Sequence, residues 1–235
     1  MKKLFLFLFL AMPIYAQLTF VAPYIGAGVS YFSPSSTGLN KFAEAYNAQR
    51  ATILTKKMEG PSMTPGFSIT GAFGLLGPFI DLTYSKYTGI MSAELDPTKT
   101  AGGGTGRDIN LSMNALNMGV GLAFQSGPGV IIPSVYFGGY FTDFKTKVKG
   151  TNTKEAEDDF SAFTVGVGAT LMIPLSNVVG VYVNPIYNFT FMETDFYRLY
   201  DKTSTNYNLL SDETKGGFGG FQINAGILIG ATCLN

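Results

Sequence analysis

Three features of this 235-residue sequence predict an all-β fold, an eight-stranded antiparallel up-and-down transmembrane β-barrel. The first is residues 160–192, which run for 33 residues without one Asp, Glu, Lys or Arg. Gly166, Gly168, Pro174, Ser176, Asn177, Gly180 and Pro185 interrupt them too often for a transmembrane helix. Two long strands joined by a tight turn at 174–177 fit better. The second feature is alternation. Phe163, Val165, Val167, Ala169, Leu171 and Ile173 share one face, and Thr164, Gly166, Gly168 and Thr170 the other. In the next strand Val179, Val181, Val183, Tyr187, Phe189 and Phe191 oppose Gly180, Tyr182, Asn184, Asn188 and Thr190. A soluble sheet would put Lys, Glu and Arg on its second face. Small and neutral-polar groups suit the crowded interior of a closed barrel instead, with the apolar face against lipid. A Lys or Arg there would cost roughly 2–4 kcal/mol at the bilayer midplane.

The third feature is the rhythm of the connections, which emerges as the strands are taken in order. Strand one is 21–32, with Val21, Ile25, Ala27, Val29 and Tyr31 against Ala22, Tyr24, Gly26, Gly28 and Ser30. In the segment after it, Leu39, Phe42, Ala43 and Tyr46 recur at helical spacing, which predicts a short amphipathic helix on the barrel rim or plugging it. Strand two is 66–75, with Phe67, Ile69, Phe73 and Leu75 outward. Strand three is 79–90, with Ile80, Leu82 and Tyr84 outward and Asp81, Thr83, Ser85 and Tyr87 inward. Residues 91–108 read as a polar loop. Its glycines at 102, 103, 104 and 106 lack the Gly-Lys-Ser/Thr ending of a phosphate loop, so they imply flexibility.

Strand four is 109–124, where Leu116, Met118, Val120, Leu122 and Phe124 oppose Asn117, Gly119, Gly121 and Ala123. Its early part is out of phase, as a bulge would make it. A turn at 126–129 leads to strand five, 130–144, with Val135, Phe137 and Phe141 against Ser134, Tyr136, Gly138 and Tyr140. After the charged segment 143–159 come strands six and seven, then a polar loop at 193–215. Strand eight, 218–232, sets Phe221, Ile223, Ala225, Ile227 and Ile229 against Gln222, Asn224, Gly226 and Gly230. Connections after strands two, four and six are short and uncharged. Those after strands one, three, five and seven hold 6, 5, 9 and 8 charged residues, or 28 of the chain's 32. Only Asp81 and Lys86 remain inside strands. Eight is an even number, as closure with both ends on the turn side demands, and closure is needed because lipid cannot satisfy a free strand edge.

This layout resembles the OmpA/OmpX-type outer-membrane β-barrel proteins of Gram-negative bacteria, over residues 17–235. The resemblance rests on architecture, not on a motif, and brings no site residues with it. It implies an outer-membrane location, short periplasmic turns and long extracellular loops. The chain departs from a common pattern in ending Cys233, Leu234, Asn235 instead of on an aromatic residue.

Composition narrows the function. Residues 1–16 have the form of a secretory signal peptide, with Lys2 and Lys3 before an apolar run and Ala16 at the cut, leaving 17–235 as the barrel domain. Charged residues are 14%, against about 25% in typical soluble domains. Absence of Trp counts against a membrane barrel. The formal net charge of zero gives no footprint for nucleic acid. Cys233 is the only cysteine, so no intrachain disulfide forms, and its setting is that of an inert thiol. No histidine is present, which excludes Ser-His hydrolytic centres and His-based zinc sites.

No catalytic, cofactor-binding or metal residue is therefore expected. Asp81 is the one carboxylate candidate in a strand body, and reads as a lumenal group bonded to Tyr or Asn. Glu155, Glu157, Asp158 and Asp159 beside Lys145, Lys147, Lys149 and Lys154 read as a self-paired loop tip before a divalent-cation site. Tyr84, Tyr87, Phe141, Phe144, Phe191, Phe196, Tyr197 and Tyr200 could form an aromatic girdle or a ligand platform. Inward glycines at 26, 28, 119, 121, 138, 166 and 168 loosen the lumen, and Tyr24, Tyr136, Tyr140 and Tyr182 refill it, so no wide channel is expected. The expected partners are membrane lipid and an extracellular or envelope partner at the loops, with the chain a monomer. A narrow solute channel or export-apparatus subunit, a carboxylate enzyme and a soluble secreted sandwich are the competing readings.

Overall fold

The computed structural model describes residues 17–18, 23–74, 78–100, 104–150, 156–196 and 215–230. Eight long strands make its wall. They are β1 (Tyr24–Ser36), β2 (Ser62–Gly74), β3 (Pro78–Leu95), β4 (Gly106–Leu122), β5 (Gly129–Lys149), β6 (Ala156–Pro174), β7 (Val179–Thr190) and β8 (Phe218–Gly230). Each pairs antiparallel with its sequence neighbours, and β8 pairs back onto β1, so the ring closes. The fold is the expected eight-stranded up-and-down barrel.

The registers set its dimensions. A walk through paired residues from Tyr24 passes Ala72, Asp81, Gly119, Tyr136, Gly166, Asn188 and Gly220. It returns to β1 at Pro34, ten residues further on. With strands about 4.8 Å apart and about 3.3 Å per residue, that stagger tilts the strands by about 40° and gives a radius of about 8 Å. Side chains can fill such an interior.

At one end the connections are tight. Gly127, at φ +58°, turns the chain between Phe124–Ser126 and β5, a left-handed conformation that favours glycine. Between β6 and β7 the amides of Leu175 and Ser176 donate to the Val179 carbonyl at 2.8 and 2.9 Å. Gln17–Leu18 pairs with Phe124–Gln125 at this same end.

At the other end the strands run further than charge patterning predicts. β3 continues to Leu95 and β4 starts at Gly106, so the expected loop 91–108 shrinks to its tip. β5 continues to Lys149 and β6 starts at Ala156. The charged segments are thus partly strand. The physical reason is that a charged residue on an outward face is solvated once the strand has left the apolar belt. Charge marks where the belt stops, not where the strand stops.

The expected bulge in β4 is also corrected. Its pairing with β3 and β5 is continuous from Gly106 to Gly121. Side-chain parity never slips. What changes is which face is apolar: Leu116, Met118, Val120 and Leu122 are exposed outside, whereas Ile109, Leu111, Met113 and Ala115 are buried inside. The register shift falls in β2 instead, between Thr64 and Phe67.

That switch is explained by helix α1 (Thr37–Gln49), which the spacing of Leu39, Phe42, Ala43 and Tyr46 predicts. The Ser36 hydroxyl caps its start by accepting the Leu39 amide at 3.0 Å. Its apolar face packs in one cluster with Phe32, Tyr87, Met91, Ile109, Leu111, Tyr140, Phe144, Phe196 and Phe218. These are inward residues of the extended strands, so α1 is a plug at the loop end. The Asn47 side chain, bonded at 2.8 Å to both the amide and the carbonyl of Met58, ties the helix to the chain that follows. A short strand, Leu54–Lys56, lies along the end of β3.

Candidate functional site

The molecule offers three surfaces where chemistry could occur: the outer wall, the lumen and the loop end.

The outer wall is apolar on every strand. Ile25, Ile69, Leu82, Met118, Val135, Val167, Val183 and Ile227 stand exposed upon it, all in the orientation that alternation assigned. On β6 the apolar face runs from Phe163 to Ile173. Ten residue steps of about 3.3 Å, tilted by about 40°, give a belt about 25 Å tall, the height of a barrel's lipid-facing band. On β3 the belt ends at Lys86, which is exposed. Above it on the outside come Thr88, Asp143 and Asp159. An unbroken exposed apolar wall of this size is foreign to monomeric soluble proteins.

The lumen is filled in three layers. At the turn end Tyr24, Ala72, Phe79, Ala123, Val130, Ile132, Met172, Tyr182 and Leu228 form a buried apolar layer. Tyr24 stacks on Phe79 with ring centres 6.0 Å apart. At the loop end sits the α1 layer. Between them lies a neutral hydrogen-bonded network. Its amides run in one direction. Asn117 Nδ2 donates to Gln222 Oε1 at 3.1 Å, and Gln222 Nε2 to Asn224 Oδ1 at 3.1 Å. Asn224 Nδ2 then donates to Asn184 Oδ1 at 3.2 Å, and Asn184 Nδ2 to the Tyr136 hydroxyl at 2.7 Å. The Tyr136 hydroxyl, having accepted from Asn184, has its own proton left for Asp81 Oδ2, 3.4 Å away. Ser30 bonds to both Asn224 and Tyr87, which joins the network to the upper layer.

Asp81 sits at the foot of this chain, 2% exposed. Gly119 on β4 leaves the space it uses, since a β-carbon there would lie 2.6 Å from Asp81 Oδ2 and 2.6 Å from the Tyr136 ring. Lys86 points outward, so the two strand-body charges do not meet. Asp81 is the lumenal group bonded to Tyr that the sequence suggested. Among the described residues apolar layers lie above and below it.

The loop end carries the charges. On the outer face Lys145 pairs with Glu157 at 2.6 Å. Lys149 lies 3.2 Å from Asp108 and donates to the Ser92 hydroxyl at 2.7 Å, and that hydroxyl donates to Asp108 at 2.7 Å. Within the expected cluster Lys145 and Glu157 do pair, through strand-borne residues, whereas Lys149 pairs outside it, with Asp108 on β4. Lys154 and Glu155 lie outside the described residues. Among the described residues no three carboxylate, His or Cys groups converge on a metal-sized site. At the tip after β3, Asp96 accepts the Thr98 hydroxyl at 2.6 Å and its amide at 3.0 Å. These bonds, with Lys99 3.5 Å away, hold its carboxyl below the usual range.

The aromatic group divides. Phe141 and Phe191 are exposed on the outside and Tyr84 is half-buried there, as a girdle requires. Tyr87, Phe144 and Phe196 instead point inward and belong to the α1 layer. The reason is parity, because each belongs to the inward set of an extended strand or packs under the helix. Tyr197, Tyr200, the glycines at 102 and 103, the leader 1–16 and Cys233 fall outside the described residues. Sequence reasoning missed the amide chain. Asn117, Asn184, Asn188, Gln222 and Asn224 were legible as inward polar residues, but their partners come from strands far apart in sequence.

No family model and no curated protein sequence matches the chain. Two solved structures of Ail, the attachment invasion locus protein of Yersinia pestis, are similar to it. One matches with a TM-score of 0.43 and 10% identity, covering 89% of this chain and 99% of that one. The other, in complex with the heparin analogue sucrose octasulfate, matches with a TM-score of 0.45 and 11% identity over the same shares. Likeness at this level transfers no ligand and no role.

Proposed function

We propose that this protein is a non-enzymatic, monomeric barrel of the Gram-negative outer membrane, delivered by the leader 1–16. Its biological role then lies in what its charged loop end meets outside the cell or within the envelope. The observation that carries this reading is the pairing of an exposed apolar wall with a filled lumen. The wall needs acyl chains. A closed barrel is the one β structure lipid tolerates, because every backbone group on it is satisfied within the ring. The lumen, packed by two apolar layers and a hydrogen-bonded amide network between them, leaves no open path for a solute among the described residues. That argues against the narrow channel and against catalysis at Asp81. What remains for a partner is the charge that β3 to β6 carry above the belt, together with the loops. The test is fractionation of Gram-negative cells expressing the full chain, followed by protease treatment of intact cells. The protein should sediment with outer membranes, require detergent for release, and lose only loop-end segments to the protease. Recovery in the soluble periplasm would end the proposal.

A further inference from the structure

We propose that Asp81 is the carboxylate ligand of a buried site for a small monovalent cation, Na⁺ being the one of fitting size and hardness. Among the described residues Asp81 is the only formally charged side chain facing the lumen between the two apolar layers. It is 2% exposed. Its Oδ2 is satisfied by Tyr136, but its Oδ1 has no partner among the described residues. A lone carboxylate removed from water is costly unless something compensates it.

Three things could complete Oδ1: a proton, a water or a cation. The network favours the last. The run of donors from Asn117 through Gln222, Asn224 and Asn184 ends in one hydrogen bond to Asp81, from the Tyr136 hydroxyl at 3.4 Å. Hydrogen bonds given to the charged form of a carboxyl favour that form. A protonated Oδ1 would also need an acceptor. An ionised Asp81 leaves a single negative charge in a sealed, neutral layer. One cation of charge +1 balances it, and a divalent ion would leave an excess. Hard cations of this kind take oxygen ligands. Hydroxyl oxygens line the same layer: Thr70 and Thr83 form the next inward pair above Ala72 and Asp81, and Thr170 accepts from Asn184. The site sits inside the barrel, so it does not depend on where the protein resides or on what its loops bind.

The full chain, refolded in detergent micelles, tests this. Its unfolding rate in urea is measured in sodium chloride, potassium chloride and choline chloride at equal ionic strength. Choline is too large to enter. Sodium should slow unfolding about tenfold relative to choline, the effect of a ligand at roughly ten times its dissociation constant. Asp81→Asn should abolish the difference between the salts. Equal rates for the unsubstituted protein in all three salts would overturn the proposal. So would an infrared carbonyl band of a protonated acid that persists in sodium. If Asp81→Asn does not fold, the salt series and the infrared spectrum of the unsubstituted protein decide alone.

Discussion

Phe42 is where the account of the loop end can be tested with a number attached. The side chain is fully buried, among the inward residues of the extended strands and the helix face. Its ring lies 6.4 Å from that of Tyr46, over which the Arg50 guanidinium sits at 4.1 Å. If α1 is a plug, Phe42→Ala deletes a ring from a closed apolar layer. The walls of that layer are hydrogen-bonded strands that cannot collapse inward. Truncations of this kind cost about 3–5 kcal/mol. If α1 merely rested on the rim, water would refill the gap and the loss would stay within about 0.5 kcal/mol, as for surface substitutions. Equilibrium urea unfolding in lipid vesicles, with Lys41→Ala on the exposed face of the same helix as the control, separates the two. A loss near 4 kcal/mol for Phe42→Ala and near zero for Lys41→Ala is expected. Equal, small losses would refute the plug.

Val135→Arg, near the middle of the belt, should cost about 2–4 kcal/mol in vesicles, and Phe141→Arg, near its upper limit, about 0–1 kcal/mol. Two near-zero values would mean that the wall faces water. Gly119→Ala should destabilise by about 1–3 kcal/mol through overpacking against Asp81 and Tyr136, read by the same unfolding titration. Purified protein in planar bilayers should pass almost no current, and Phe42→Ala should not open it, because the turn-end apolar layer and the amide network remain. Steady ion conductance would contradict the layering. The Asp96 carboxyl has a folded-state pKa below its unfolded value. Its contribution to holding the loop tip is therefore present above the unfolded pKa and lost as pH falls through the folded one. An NMR titration should show Asp96 protonating below the usual Asp range, and Thr98→Ala should move it back up.

Much of this was readable in advance because a closed barrel obeys a period of two. From Phe163 to Ile173, one rule sorted lipid from lumen without exception. It failed where the meaning of "apolar" changed. Above the belt the outside is water and the inside is the α1 core, so Ile109, Leu111 and Met113 turn inward and mimic a bulge. Tyr87, which alternation had already placed inward, and Phe144 pack in that core and not in the suggested girdle. Charge misled at strand ends, since Lys145 and Lys149 are compatible with strand once lipid is left behind. The lumen chain from Asn117 to Asp81 was hidden for a different reason. It joins β3, β4, β5, β7 and β8, and those contacts exist only when the stagger of the ring is set.

The most direct test of the central claim places single thiols along β6, after Cys233→Ser removes the native one. A fluorophore at each position is then challenged with a quencher carried on lipid acyl chains. Labels at 163, 165, 167, 169, 171 and 173 should be quenched, and most strongly at the middle positions. Labels at 164 and 170 should be protected from that quencher and from an aqueous one. Quenching of the odd positions by the aqueous reagent instead, with none from lipid, would contradict the account.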